Sequence, residues 1–226
     1  IGSIALFIII AFELGWQPFY IKIGNQKNSG IIFGKIGTIF LEVLIILWGI
    51  IIFWAPIIMK IKFGNNYLIG EQFWGSEGII SIVFCSYIFY AGYIVLMPSI
   101  YLLNKQNWSP IFRGTGATIN VLLNMLLIQY FNILGAAIAT LISYATMFYF
   151  IYNKSDQWIK IMCDWKLLIR HLVFTSIFIF IYSVFEKTIT IALGFTLLYI
   201  IIMVLIKYKT NTTIDFKLLN SSLGDA

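Results

Sequence analysis

The stretch Gly114–Asn153, GTGATINVLLNMLLIQYFNILGAAIATLISYATMFYFIYN, decides the fold of this chain. It contains no Asp, Glu, Lys or Arg. As a single helix it would extend about 60 Å, twice the roughly 30 Å hydrocarbon core of a bilayer. The stretch is therefore predicted to fold back on itself, and the polar and aromatic segment Gln129–Asn132 is the break available. The expected result is two membrane-spanning helices joined by a tight turn.

The composition of the whole chain is that of a membrane protein. The 226 residues are 61% hydrophobic and 11% charged, with a mean hydropathy of +0.93, whereas soluble domains are about 25% charged. These values exclude a cytosolic enzyme, a nucleic-acid-binding domain and a disordered chain. The net charge of +6 is spread over connections between apolar runs, so no nucleic-acid partner is expected. Two cysteines and one histidine predict no disulfide framework, no zinc site and no His-based metal cluster. No cofactor is expected apart from a possible coupling Na⁺ or H⁺.

Seven apolar runs bounded by charged residues are predicted to span the membrane. They are Ile4–Tyr20, Ile36–Met59, Ile79–Leu103, Ile111–Gln129, Ile133–Tyr152, Ile169–Phe185 and Ile189–Ile206. The predicted fold class is therefore an all-α, polytopic transmembrane bundle that occupies residues 1–226 as one unit.

Lysine and arginine residues alternate between the connections in a way that predicts the orientation. The connections after spans one, three and five and the C-terminal tail hold Lys22, Lys27, Lys35, Lys105, Arg113, Lys154, Lys160, Lys166, Arg170, Lys207, Lys209 and Lys217. The other connections hold only Lys60, Lys62 and Lys187. Because basic connections stay in the cytoplasm, the tail 207–226 is predicted to be cytoplasmic. The first residue is Ile1 rather than Met, so the chain is expected to be the later part of a longer protein.

Acidic side chains within spans are candidates for binding substrate or a coupling ion, because an ionisable group in a bilayer is costly unless it faces protein or water. Glu13 lies inside span one, and Gln17 follows it just before Pro18, which is predicted to kink the helix. The other interpretation of Glu13 is a carboxylate held by a basic side chain of a helix that lies outside this sequence. Glu42 is a further candidate, although its place near the basic side of span two also lets it extend toward the surface.

Arg113, Asn120 and Asn124 lie on one face of span four, because their spacing of seven and four residues is helical. The two asparagines are candidates for substrate binding, but amides in membrane helices also hydrogen-bond to neighbouring helices. Arg113, at the basic end of the span, is interpreted either as an interfacial anchor or as a ligand for an anionic headgroup.

Small residues predict close packing in span five and bending in span three. Gly135, Ala139 and Ser143 recur every four residues, which lets the backbone approach span four or another helix. Gly92 and Pro98 mark the expected bend in span three. The lone histidine, His171, opens span six and is expected to be solvated at the interface.

Several short motifs carry a resemblance to a known family. They are Trp16–Phe19 (WQPF), Phe63–Tyr67 (FGNNY), Ile119–Ile128 (INVLLNMLLI) with Leu134–Thr140 (LGAAIAT), and Asp164–Lys166 (DWK). In these motifs the chain resembles bacterial polysaccharide-biosynthesis (Wzx-type) flippases, which belong to the multidrug/oligosaccharidyl-lipid/polysaccharide exporter superfamily. The resemblance runs from about residue 12 to 170, and the last two spans match by hydropathy.

The resemblance implies a fourteen-helix transporter of two lobes, in which the seven spans correspond to helices eight to fourteen. It implies that undecaprenyl-pyrophosphate-linked oligosaccharide, an O-antigen or capsule precursor, is flipped across the bacterial inner membrane by alternating access. The implied partners are this lipid-linked oligosaccharide, membrane lipids, an N-terminal lobe of the same protein and polysaccharide assembly enzymes. Span one would line the cavity, and Glu13 could bind a coupling Na⁺ or H⁺.

Three alternatives stay open. A cation-coupled multidrug exporter of the same superfamily would favour acidic and aromatic cavity groups. A membrane glycosyltransferase or O-antigen polymerase would be expected to carry a large outer loop, whereas the longest outer connection, Lys60–Gly78, is short. A scaffold that only assembles the polysaccharide machinery would tolerate mutation of Glu13. Because no phosphate-binding loop and no nucleophile–base set appears in the sequence, a transporter is expected rather than an enzyme.

Overall fold

The computed structural model of the chain describes residues 2, 4–63, 66–67 and 69–209, and within these it is essentially all helical. The elements are α1 (Ile4–Ile23), α2 (Ser29–Met59), β1 (Lys62–Phe63), β2 (Asn66–Tyr67), a 3₁₀ turn (Glu71–Phe73), α3 (Glu77–Leu96), α4 (Pro98–Tyr101), α5 (Trp108–Trp158), α6 (Trp165–Val184) and α7 (Ile189–Lys209). The two short strands pair antiparallel. In this part of the chain, six helices are long and apolar enough to cross a membrane, with α3 and α4 counted as one. The predicted all-α class is thus confirmed, and the six long apolar helices are consistent with a membrane protein. Residues 210–226 of the predicted tail and Gly64 and Asn65 of the FGNNY motif lie outside the described residues.

Most helices are longer than the predicted spans. Helix α2 begins at Ser29 rather than Ile36, and α6 begins at Trp165 rather than Ile169. Hydropathy marks only the apolar part of a helix, whereas backbone hydrogen bonding continues into the polar flanks. Asp164 extends α6 in this way, because its side chain caps the helix by accepting a 3.0 Å hydrogen bond from the Leu167 N–H.

Helix α5 reverses direction at Asn132, which confirms the predicted hairpin. Asn132 has φ +49° and ψ −128°, and it is the one residue inside α5 with a non-helical backbone. Residues 129–131, predicted as part of the break, are helical. The reversal gives α5 a first arm, residues 108–131, and a second arm, residues 133–158, which lie side by side.

Small residues bring the two arms together, as predicted for span five. A Cβ added to Gly135 would clash with the backbone carbonyl of Leu127 in the first arm. Ala139 and Ser143 are buried, and the Ser143 carbonyl lies 3.5 Å from the position of a Cβ added to Gly116. The four-residue spacing therefore forms the contact between the arms of α5.

Helix α2 occupies the centre of the bundle, where it packs against α3, α6 and α7, while α3 packs against α5. Because Gly92 of α3 has no side chain, the ring of Phe148 packs directly against it and would lie 2.8 Å from a Cβ added there. Pro98 is buried at the start of α4, directly after Met97, where the helix is interrupted although Met97 keeps helical φ and ψ. A mobile hinge at Gly92 or Pro98 remains a prediction.

The segment 159–164, which joins α5 to α6, lies against a face of α2 that carries glycine. The Met162 N–H donates to the Gly30 carbonyl at 3.1 Å, and the Asp164 N–H donates to Thr38 Oγ1 at 3.0 Å. A Cβ added to Gly34 would fall onto the Met162 backbone. This segment therefore packs on a helix without intervening side chains.

Three basic connections meet at one end of the bundle. Gly24 approaches Leu102, Gly30 approaches Lys160, and the Lys105 ammonium lies 4.6 Å from the centre of the Trp158 ring. Connections 24–28, 102–107 and 159–164 therefore share this end, here called the basic end, as the alternation of cations predicts. Its cytoplasmic location remains a prediction.

Candidate functional site

Glu13 and Arg113, two residues singled out from the sequence, are brought together by α1 and the first arm of α5. Arg113 Nη2 lies 3.8 Å from Glu13 Oε1. The Arg113 side chain is 49% exposed and the Glu13 side chain is 36% exposed. Glu13 thus lies beside a basic side chain, but that side chain belongs to this chain rather than to a helix outside it. A role of Glu13 in binding substrate or a coupling ion stays a prediction.

A buried tyrosine contacts the Arg113 side chain. The guanidinium carbon of Arg113 lies 5.8 Å from the centre of the Tyr93 ring on α3, within the range of a cation–π contact. The Tyr93 hydroxyl is fixed by a 3.2 Å hydrogen bond with Ser109 Oγ. The ring is fully buried, so it holds the guanidinium at a defined place on the surface of the bundle.

An open cavity of about 340 Å³ lies between the arms of α5, with Arg113 in its wall. Asn120, Thr140 and Tyr144 also line it. These groups offer a cation, an amide and two hydroxyls, so the cavity can bind an anion together with hydrogen-bonding groups beside it.

The two asparagines form a short hydrogen-bonded chain that links the arms. Asn124 Nδ2 donates to Asn120 Oδ1 at 2.9 Å, and Asn120 Nδ2 donates to Thr140 Oγ1 at 3.4 Å. Asn120 therefore both joins the arms and lines the cavity, whereas the bond of Asn124 stays within the first arm and orients Asn120.

Gln17 and Pro18 are exposed on α1, about one turn beyond Glu13. The helix continues through Pro18 as far as Ile23. A substrate-binding role for Gln17 and a hinge at Pro18 remain predictions.

The expectations that Glu42 extends toward the surface and that His171 is solvated are wrong, whereas a binding role for Glu42 stays a prediction. Glu42 does not extend to the surface: it is 5% exposed, and Lys207 Nζ donates to its Oε2 at 2.8 Å. His171 is fully buried rather than solvated, with Nδ1 3.8 Å from Glu42 Oε1. The physical reason is that α6 and α7 cover this side of α2, so polar groups spread over three helices satisfy one another away from water.

Sequence reasoning missed a group of tyrosines beside the cavity. The Tyr90 ring centre lies 5.1 Å from that of Tyr144 and 6.1 Å from that of Tyr93. The spacing of three residues between Tyr87, Tyr90 and Tyr93 places them near one face of α3 and was the available signal. In the described part of the chain, no group of three or more His, Cys, Asp or Glu residues is arranged to hold a metal ion.

Comparison with protein-family models, with curated proteins and with solved structures finds no match to this chain.

Proposed function

We propose that this chain is the C-terminal lobe of a flippase for undecaprenyl-pyrophosphate-linked oligosaccharide in the bacterial inner membrane. In this proposal the two arms of α5 cross the membrane separately, which gives seven crossings equivalent to helices eight to fourteen, and the C-terminus is cytoplasmic. The observation that carries the proposal is the half-exposed pair of Arg113 and Glu13 on membrane-spanning helices.

The exposure of this ion pair favours a surface that faces water rather than lipid. A charged side chain in hydrocarbon is costly, so such residues normally face protein or a water-filled cavity. By contrast, lipid-type surface is present on α6, where Phe180 and Val184 are more than 70% exposed. We infer that the Arg113 side of the bundle faces a cavity shared with the N-terminal lobe, and that the lobes rock about it in alternating access.

The chemistry of the site suits a pyrophosphate that carries sugars. The 3.8 Å separation of Arg113 and Glu13 is longer than a hydrogen bond, so guanidinium N–H groups remain able to bind phosphate oxygens in a bidentate manner. Asn120, Thr140 and Tyr144 would hydrogen-bond to sugar hydroxyls. When phosphate engages Arg113, the released Glu13 carboxylate can take a coupling Na⁺ or H⁺.

Transport by the reconstituted natural protein that contains this chain tests the proposal. Arg113→Gln removes a charge-assisted hydrogen bond worth about 1.5–3 kcal/mol, so flipping of lipid-linked oligosaccharide should slow by about 10- to 100-fold. Arg113→Lys should retain intermediate activity, because it keeps the charge and loses the planar fork. Glu13→Gln should slow transport while the protein inserts normally.

Lys166→Gln is the matched control, because Lys166 is an exposed cation at the start of α6 and should not affect the rate. Unchanged flipping in Arg113→Gln would overturn the proposal. Efflux of organic cations by the wild type, without flipping of the oligosaccharide lipid, would identify a drug exporter instead.

A further inference from the structure

A second polar cluster lies inside the bundle, where α2, α6 and α7 meet. It consists of Glu42, His171 and Lys207, one residue from each helix. Glu42 uses its two oxygens separately: Oε2 accepts the 2.8 Å hydrogen bond from Lys207 Nζ, and Oε1 lies 3.8 Å from His171 Nδ1. This cluster contains neither Arg113 nor Glu13, and the proposed function makes no use of it.

The histidine ring is the unusual member of this cluster. It is fully buried, and neither of its ring nitrogens has a hydrogen-bond partner within the part of the chain that the structure describes. A buried imidazole without partners is unfavourable. The Nδ1–Oε1 separation is too long for a hydrogen bond, but a proton on Nδ1 would make the ring a cationic donor aimed at a carboxylate. One proton on Nδ1 would therefore give the buried ring the hydrogen-bond partner that it lacks.

We propose that Glu42, His171 and Lys207 form a proton-binding site, in which binding of a proton by His171 displaces Lys207 and releases the C-terminal end of α7 from α2. The proton comes from water on the exposed side of Lys207 and ends on Nδ1 of the ring. The imidazolium then donates to Glu42 Oε1, and the Lys207 ammonium leaves Oε2 for water. No other bond is made or broken.

The balance of charges explains why the lysine is the group that leaves. With a neutral ring, Glu42 and Lys207 neutralise each other. With a protonated ring, one buried carboxylate faces two cations, and Arg170 on α6 adds positive potential, while the Asp164 carboxylate at the start of α6 partly offsets it. A buried excess charge is costly. The side chain of Lys207 is 41% exposed and can be hydrated, whereas the ring cannot.

The release is confined to the last turns of α7, because the rest of that helix is fixed independently. The Tyr199 hydroxyl shares a 2.7 Å hydrogen bond with Thr175 Oγ1 and donates to the Ile45 carbonyl at 3.1 Å. Nearer the start of α7, Trp54 Nε1 donates to Thr196 Oγ1 at 3.1 Å. Met203, one turn further along α7, is also buried in the same cluster as Phe53 and Tyr182. The residues after Met203 therefore form the part of α7 that responds to a proton.

Distance measurements between spin labels test this proposal in the reconstituted natural protein. One pair of labels, Lys166→Cys with Tyr208→Cys, joins the start of α6 to the end of α7, and both positions are exposed. A control pair, Val184→Cys with Leu193→Cys, joins the opposite ends of the same helices at exposed positions. Both pairs are placed in a background with Cys85→Ala and Cys163→Ser.

Acidification from about pH 8 to about pH 4, which extends below the range in which an exposed histidine titrates because this ring is buried, should add a longer-distance population to the first pair only. His171→Gln should keep the distribution of high pH under both conditions. Lys207→Gln should show the longer distances at both pH values. The distances of the control pair should stay constant in every variant at both pH values, which also shows that each variant is folded. A wild-type distribution that does not change with pH, or an equal change in His171→Gln, would overturn the proposal.

Discussion

Gly34→Ala gives the most quantitative test of the packing around α2. A Cβ at this position would lie closer than 3.0 Å to the carbonyl carbon and oxygen of Met162, a separation that Cβ atoms essentially never show. Both atoms belong to backbone, so no rotation of a side chain relieves the clash. The segment 159–164 must therefore move away from α2.

The expected loss of unfolding free energy is the sum of the overpacking cost and of the hydrogen bonds that this movement breaks. Overpacking of a well-packed site costs about 1–3 kcal/mol. Moving the segment also loses the bonds from Met162 N–H to Gly30 and from Asp164 N–H to Thr38, at about 0.5–1.5 kcal/mol each. Alanine regains about 1 kcal/mol through its higher helix propensity. Taking central values, we expect a net loss of about 3 kcal/mol of unfolding free energy, or about 6–12 °C in Tm for a chain of this size.

Unfolding in mixed detergent micelles by titration with SDS, followed by circular dichroism, measures this loss. Gly194→Ala is the matched control, because it is also a glycine within a helix and an added Cβ there meets nothing within 4 Å. It should be neutral or slightly stabilising. If Gly34→Ala unfolds at the same SDS fraction as Gly194→Ala, the contact between 159–164 and α2 is not as described.

Two further predictions concern the turn of the hairpin and the buried thiol. Asn132 has φ +49°, a conformation that glycine adopts freely and β-branched residues do not. Asn132→Val should therefore lower the unfolding free energy by about 1–3 kcal/mol, whereas Asn132→Gly should preserve it. If Asn132→Gly were the less stable variant in the same SDS titration, the positive φ at Asn132 would be refuted. Burial raises the pKa of the Cys163 thiol from 9.0 to about 12, which removes thiolate at neutral pH. Maleimide should therefore label Cys163 at least about 100-fold more slowly than Lys166→Cys in a Cys163→Ser background, with a rate that rises with pH; equal rates in the folded protein would contradict this.

The sequence by itself determined the features that a bilayer imposes locally. The charge-free stretch Gly114–Asn153 is too long for one crossing, and the structure reverses it at Asn132. The alternation of cations predicted which connections share an end, and those connections meet. Such properties depend on length, hydropathy and charge counted along the chain, so no knowledge of neighbours is needed. The packing of α2 against 159–164 was not predicted, although Gly30 and Gly34, four residues apart on one face of α2, were an available signal for it.

Only the tertiary structure decided which polar groups meet. Glu42 near the basic side of a span was open to two interpretations, and its burial beside Lys207, 165 positions away, ruled out extension toward the surface. Glu13 gained Arg113 as its neighbour in the same manner, across α1 and α5. The sequence shows that a charge in a membrane helix must be compensated, because the solvation it loses is large whatever surrounds it. It does not show by which group, because helices of similar hydropathy pack in many arrangements, and a difference of a few ångströms separates an ion pair from two isolated charges.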